Sequence, residues 1–185
     1  RILIVGGGTA GITVAARLQR KGYNDVAVIE PSDTHYYQPL WTLVGAGQTK
    51  PRTTARAESS VIPKGTTWIK NAATAVDPDT NTVTCADGAS YEYDVLVVCP
   101  GIQLDWNRTE GLEDTLGVNG VSSNYRFDLA PKTWDLIRST RSGTAVFMMP
   151  SGPIKCAGAP QKIAYLASDH LRKEGVLNNI DVHLI

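Results

Sequence analysis

The opening stretch, Ile2-Leu3-Ile4-Val5-Gly6-Gly7-Gly8-Thr9-Ala10-Gly11, limits the possible folds more than any other part of the chain. Ile2 to Val5 is a short branched run of the kind that forms a buried parallel strand. Gly6, Gly8 and Gly11 follow in the GxGxxG spacing, with Thr9 and Ala10 completing the turn. Ile12, Val14, Ala15 and Leu18 then repeat with a helical period, and Gly22 is placed to end that helix. Val26 to Ile29 reads as a second strand, ending at Glu30, 19 residues after Gly11. Strand, glycine turn, helix, strand and acid in this order predict a βαβ unit with a right-handed crossover.

Each glycine has a physical task in such a unit. Gly6 allows the tight turn out of the strand, Gly8 lets the backbone approach a pyrophosphate, and Gly11 lets helix and sheet pack closely. The helix start offers free N–H groups and the positive end of a dipole to the phosphates. Glu30 is placed to accept hydrogen bonds from ribose hydroxyls, and its charge disfavours the extra phosphate of NADP. The spacing alone does not separate NAD from FAD.

Composition narrows the class further. With 42% hydrophobic and 19% charged residues in 185, the chain has enough core formers to exclude disorder. Eighteen basic residues balance eighteen acidic ones, which gives no argument for a nucleic-acid partner. Three cysteines are too few for a disulfide framework and too scattered for zinc. His35, His170 and His183 lack metal-ligand spacing, so no metal site is expected. No apolar run approaches the roughly 20 residues of a membrane span. The chain starts at Arg1, directly before a strand, and stops at Ile185 in another, so it reads as an N-terminal excerpt of a longer protein.

Further along, 66–70, 73–77, 82–85 and 91–93 read as short strands separated by Asp77-Pro78-Asp79, Asn81 and Asp87-Gly88. They predict an antiparallel meander over about 66–93, inserted into the parallel sheet. Val95 to Cys99 reads as a buried strand returning to that sheet and closes in Pro100-Gly101. Residues 103–124 read as a polar connector. Pro131 suits the first turn of a helix running to Ser139. Ala145 to Met149 reads as a buried strand, 151–160 as a loop, 163–173 as a helix ended by Gly175, and 180–185 as a strand. A second βαβ unit therefore begins near Gly143. The expected fold class is α/β, a Rossmann-like FAD/NAD(P)-binding parallel sheet with an inserted meander, plus the start of a second Rossmann-like domain. The expected limits are 1–103, a connector with helix over 104–142, and 143–185.

The second unit has no second glycine fingerprint. Its first strand runs into Pro150-Ser151-Gly152-Pro153-Ile154-Lys155-Cys156-Ala157-Gly158-Ala159-Pro160. The two prolines at 150 and 153 remove N–H donors that a pyrophosphate would need. A cysteine stands there instead, just before a helix expected to start near Pro160. The helix start and Lys155 both favour its thiolate, the reactive form. Cys85 in the meander and Cys99 on a buried strand read as inert core thiols, with Cys99 the readier exception because its strand would end near a bound dinucleotide.

Several segments resemble known proteins. Cys99-Pro100-Gly101 is similar to the second fingerprint of the two-dinucleotide-domain flavoproteins, a strand ending in Ala-Thr-Gly that passes near FAD. Only Gly101 is kept from that triplet. The segment from Pro153 to Lys162 resembles the active-cysteine segment of the sulfide:quinone oxidoreductases of bacteria and mitochondria. Glu30-Pro31-Ser32, Tyr36 to Gly47 with its Gln38-Pro39-Leu40-Trp41 block, Ser60 to Pro63, and Trp68-Ile69-Lys70 are similar to the same family.

The resemblance implies a peripheral membrane flavoprotein, of the bacterial cytoplasmic or mitochondrial inner membrane. It would oxidise sulfide through a cysteine pair beside FAD and pass electrons to a quinone, leaving the sulfur on a thiol, sulfite or growing polysulfide. It implies Cys156 as one redox cysteine, with a partner beyond Ile185. It also implies Gly6 to Gly11 at the pyrophosphate, Glu30 at the ribose, Gln38, Pro100 and Gly101 near FAD, and Ala73 at the adenine. Quinone and membrane contacts would lie in the C-terminal half. Two other readings stay open: another flavin oxidoreductase such as an NADH:quinone reductase, and a non-catalytic nucleotide-binding module.

Overall fold

The structure, a computed structural model, describes residues 1–152 and 154–185. Pro153, part of the expected cysteine loop, lies outside the described residues. The chain divides into two compact units. The first comprises 1–36 and 55–104, the second 37–54 and 105–185.

The first unit opens with β1 (Ile2–Val5), α1 (Thr9–Arg20) and β2 (Val26–Ile29), as the glycine spacing predicts. Gly22 has φ +84° just past the helix, and Tyr23 N–H reaches back to the Leu18 carbonyl. The chain leaves this unit after β3 (Thr34–Tyr36) and re-enters it in β4 (Ala55–Ala57), which pairs antiparallel with β3. β5 (Thr67–Ile69), β6 (Ala73–Asp77), β7 (Thr82–Cys85), β8 (Ser90–Glu92) and β9 (Val95–Val98) follow. The parallel sheet has the order β5-β2-β1-β9, and β6-β7-β8 form an antiparallel meander.

Side chains alternate across β1 and β2 as a strand requires. Ile4, Val26 and Val28 pack with Ala15 of α1 on one face. Leu3, Ala27 and Ile29 pack with Val83 and Cys85 of the meander on the other. Helix and meander thus cover opposite faces of one sheet. Each fully buried Leu or Ile contributes about 1.5–3 kcal/mol by this burial.

Two expectations need correction here. The strand at 66–70 is not part of the meander. β5 pairs parallel with β2, in the register Val28 with Trp68. That edge of β2 needs partners for its peptide groups, and the pairing continues past the strand, where Glu30 N–H donates to the Ile69 carbonyl at 3.0 Å. β9 does pair with β1, but it is an edge strand with Val95 and Val98 exposed rather than buried. A run of valines reads the same in either position.

The second unit contains α2 (Trp41–Gly45), α3 (Leu112–Thr115), α4 (Ala130–Ser139), β10 (Gly143–Phe147), α5 (Gly158–Lys173) and β11 (Ile180–Leu184). β10 and β11 are parallel and joined through α5, the second βαβ unit. Ala46, Ile137, Ile163 and Ala167 form its core, with Trp134 and Phe147 against them. Gly47 has φ +71°, and a methyl group there would lie 2.5 Å from the Trp134 ring. The expected buried strand at 145–149 is shifted and only half-buried: Ala145 and Phe147 are partly covered and Val146 is exposed. Among the described residues of this unit β10 pairs only with β11, so its side chains alternate between cover and solvent.

Candidate functional sites on the two units

In the first unit the glycine turn joins β1 to α1. Gly6 has φ +99°, and a Cβ there would lie 2.1 Å from the Cys99 carbonyl oxygen. Its N–H donates to the Ile29 carbonyl at 2.9 Å, and Cys99 N–H donates to the Val5 carbonyl at 2.7 Å. A Cβ on Gly11 would lie 1.8 Å from the Gly6 carbonyl oxygen. Among the described residues nothing lies within 4 Å of the corresponding point on Gly8. Gly6 and Gly11 are thus demanded by neighbouring backbone, whereas Gly8 leaves open space. Thr9 and Ala10 begin α1, whose first turn has no side-chain cap. Its first N–H groups therefore lack intrahelical partners and suit an anion.

Glu30, at the end of β2, has one carboxylate oxygen accepting Gly7 N–H at 2.8 Å and the other accepting Ser32 N–H at 2.8 Å. A carboxylate has roughly four acceptor sites, so each oxygen can still accept from a hydroxyl. Sequence reasoning passed over Gly7, the glycine inside the triplet. A Cβ there would lie 2.7 Å from Glu30 Cβ and Cγ, and 2.9 Å from Glu58 Oε1. Glu58 was also missed, because Ala57-Glu58-Ser59-Ser60 reads as solvated surface. Its side chain is buried, with 1% of the residue exposed. Burial first, and the nearby charge of Glu30 second, push its carboxyl group from the ordinary 4.5 up to about 7. His35 Nδ1 stands 3.5 Å from Glu58 Oε2.

The other expected residues of this unit are spread along it. Ala73 begins β6 and packs against the Leu3 and Ile29 cluster. Pro100 and Gly101 follow β9 at the surface, with Gly101 at φ +74°. Cys85 is buried, and burial followed by the Asp87 charge raises its thiol, as suits an inert core group. Cys99 is half-buried.

In the second unit Gln38 lies in a 3-10 turn, Gln38–Leu40, that leads into α2. Lys155 Nζ donates to the Gln38 side-chain oxygen. Cys156 follows Lys155, exposed and unbridged, two residues before α5. Burial raises the Tyr125 phenol, and the charge of Cys156 adds to that rise, so the phenol and the thiol are electrostatic neighbours. Gln38 and the cysteine loop, 117 residues apart at their contact, are brought together. Trp41 opens α2, packs with Val44 and Ala130, and its Nε1–H donates to Thr54 Oγ1 at 3.1 Å. His170 packs edge-on to Trp134, with ring centroids 4.7 Å apart. Among the described residues no helix is long and apolar enough to cross a membrane.

Residues 1–146 match the pyridine nucleotide-disulphide oxidoreductase family. The mitochondrial sulfide:quinone oxidoreductase of Dictyostelium discoideum is 46% identical over 183 residues, covering 97% of this chain and 40% of that protein. The mouse (Mus musculus) mitochondrial protein of the same name is 42% identical over 175 residues, covering 94% of this chain and 39% of that one. The sulfide:quinone oxidoreductase structure from the hyperthermophilic bacterium Aquifex aeolicus superposes with a TM-score of 0.79 at 23% identity, over 97% of this chain and 41% of that chain, and shows a shared fold. The chain spans about two fifths of the length of these curated relatives. The matched domain is an FAD-binding one and its cofactor is FAD. An open Gly8, an uncapped helix start and a carboxylate with spare acceptor sites fit that group. A parallel sheet carrying this turn, matched over 146 residues, makes the chain a member of the pyridine nucleotide-disulphide oxidoreductase family, similar over nearly its whole length to the sulfide:quinone oxidoreductases.

Proposed function

We propose that this chain supplies the FAD-binding end and one redox cysteine of a sulfide:quinone oxidoreductase. The observation that carries the reading is the Lys155–Gln38 contact, which ties the cysteine loop to the segment that resembles an FAD-contacting one. Gly6, Gly8, Thr9, Ala10 and Gly11 would hold the pyrophosphate, Glu30 the ribose, and Ala73 the adenine side. Gln38, Pro100 and Gly101 would lie along the cofactor. We retain 1–103, 104–142 and 143–185 as the functional division.

Cys156, paired with a cysteine after Ile185, would meet hydrosulfide as a disulfide. Hydrosulfide attacks one sulfur, the bond between the cysteines breaks, a new S–S bond forms to the incoming sulfur, and the other cysteine leaves as thiolate. FAD, held by the glycine turn and Glu30, would supply a two-electron acceptor, with a quinone as the final acceptor. Exposure of Cys156 suits attack by a small soluble nucleophile, and the Lys155 ammonium stabilises the departing anion. The bound sulfur then leaves to a thiol, sulfite or polysulfide. Quinone access implies peripheral contact with a membrane, in keeping with the mitochondrial names of two relatives.

Anaerobic rapid mixing of the full-length protein tests this. Sulfide reduces the flavin while NADH does not, and Cys156→Ala abolishes the reduction. Flavin reduction by NADH in place of sulfide would reject the reading.

A further inference from the structure

Glu58 is a buried acid at the glycine turn that neither the sequence pattern nor the proposed chemistry uses. Its backbone is pinned three ways. Its N–H donates to the Asp33 carbonyl at 2.8 Å, and its own carbonyl accepts Val61 and Ile62 N–H at 2.9 and 3.0 Å. The side chain is thereby delivered under the turn, where Oε1 is buried with no hydrogen-bond partner among the described residues. Oε1 and the Glu30 Cβ and Cγ all lie within 3 Å of the point where a Gly7 side chain would begin. A buried, unpaired oxygen costs stability unless something uses it.

We propose that Glu58 is a positioning residue for the dinucleotide turn, its buried carboxyl group filling the space beneath Gly7 and setting where Glu30 and the Gly7 N–H stand toward FAD. The inference rests on the assignment of the turn to FAD. As an uncharged acid, Glu58 adds no second negative charge behind Glu30, and its proton is available to a neighbouring acceptor. As a carboxylate, it opposes both Glu30 and the cofactor's pyrophosphate in a poorly solvated place. The charged and titratable groups around it are few. Glu30 faces it from the end of β2 and His35 from β3. Asp33, whose carbonyl holds the Glu58 N–H, turns its carboxylate to Lys70. Arg56 of β4 lies opposite His35 and is exposed. The two electrostatic neighbours that matter are therefore Glu30, which repels the ionised form, and His35, which attracts it only when protonated.

The sign follows from linkage. FAD binds best to the form holding the proton, so affinity falls as pH rises through about 7. The experiment uses full-length apoprotein titrated with FAD between pH 5.5 and 8.5, read by quenching of flavin fluorescence. Wild type is expected to bind about fivefold to tenfold more weakly at pH 8.5 than at pH 6. Glu58→Gln, which keeps the shape and cannot ionise, binds like wild type at pH 6 and loses that dependence. Glu58→Ala binds more weakly at every pH. Wild-type affinity flat across the range overturns the inference without any variant being needed, and so does an unchanged slope in Glu58→Gln. If the wild-type apoprotein takes up no FAD at any pH, the assignment of the turn itself falls, and the inference with it.

Discussion

The glycine turn and the cysteine loop are built on opposite principles. At the turn, Gly6, Gly7 and Gly11 each stand where a methyl group would overlap a neighbour, at 2.1, 2.7 and 1.8 Å. In the loop, among the described residues, nothing lies within 4 Å of the corresponding point on Gly152, and only the Cys156 sulfur, at 3.8 Å, approaches that of Gly158. Crowding by backbone at Gly6 and Gly11, and by the Glu30 and Glu58 side chains at Gly7, fixes the first site before any ligand arrives. The second has an exposed thiol and, among the described residues, a side-chain tether from Lys155 to Gln38. A site that holds a large cofactor gains from such rigidity. Under the proposed function, the second site would admit a soluble nucleophile and release a sulfur adduct, which needs access.

The sharpest break between the two is Cys156→Ala. Full-length protein with this change should retain FAD, yet lose flavin reduction by sulfide by about a thousandfold or more, as removal of a nucleophile does. Stopped-flow absorbance alongside flavin content checks both halves. Gly11→Ala should do the converse. The overlap with the Gly6 carbonyl forces the helix off the turn, at a cost of about 3 kcal/mol in urea unfolding, with FAD lost as well. Gly8→Ala separates fold from ligand. Its φ of -63° is ordinary and its surroundings are open. Apoprotein stability should stay within about 0.5 kcal/mol while FAD affinity falls about tenfold. Lys155→Met tests the tether, and should slow reduction by sulfide about twofold to fivefold without changing FAD content, because an exposed polar contact is worth little.

A separate expected effect concerns the stability of the first unit itself. The Glu58 carboxyl group is raised in the folded chain, from 4.5 to about 7. Over that window the folded state keeps a proton that the unfolded state has released. Stability from this group is therefore full below about 4.5 and declines as pH rises toward 7. Thermal unfolding of wild type and Glu58→Gln apoprotein should diverge across the window, with the variant lacking this component of the decline. Parallel curves would mean that Glu58 does not titrate there.

Much of this was legible in the chain itself. β1, the glycine turn, α1, β2 and Glu30 follow from local sterics and periodicity, since strand, turn and helix residues must occur in that order for the crossover to form. The same holds for Gly22, Pro131 at the start of α4, and the β10–α5–β11 unit. Other features were not legible for specific reasons. Trp68 and Ile69 look alike in a meander and beside β2, because pairing partners lie outside the segment. The exposure of Val95 and Val98 depends on what covers an edge, which a run of valines does not encode. The Glu58 segment carries a polar composition that hides its burial.

By itself, then, the order of residues determined the βαβ frame, the crowded glycines and a cysteine where a second fingerprint would otherwise stand, since these depend on neighbours a few positions away. Only the tertiary structure decided that 37–54 groups with the second unit, that Gln38 meets Lys155, and that Gly7 rests between Glu30 and Glu58. Each of these joins residues far apart in sequence. Such contacts arise from the packing of whole elements, where burial and backbone pairing outweigh the preference of any short segment.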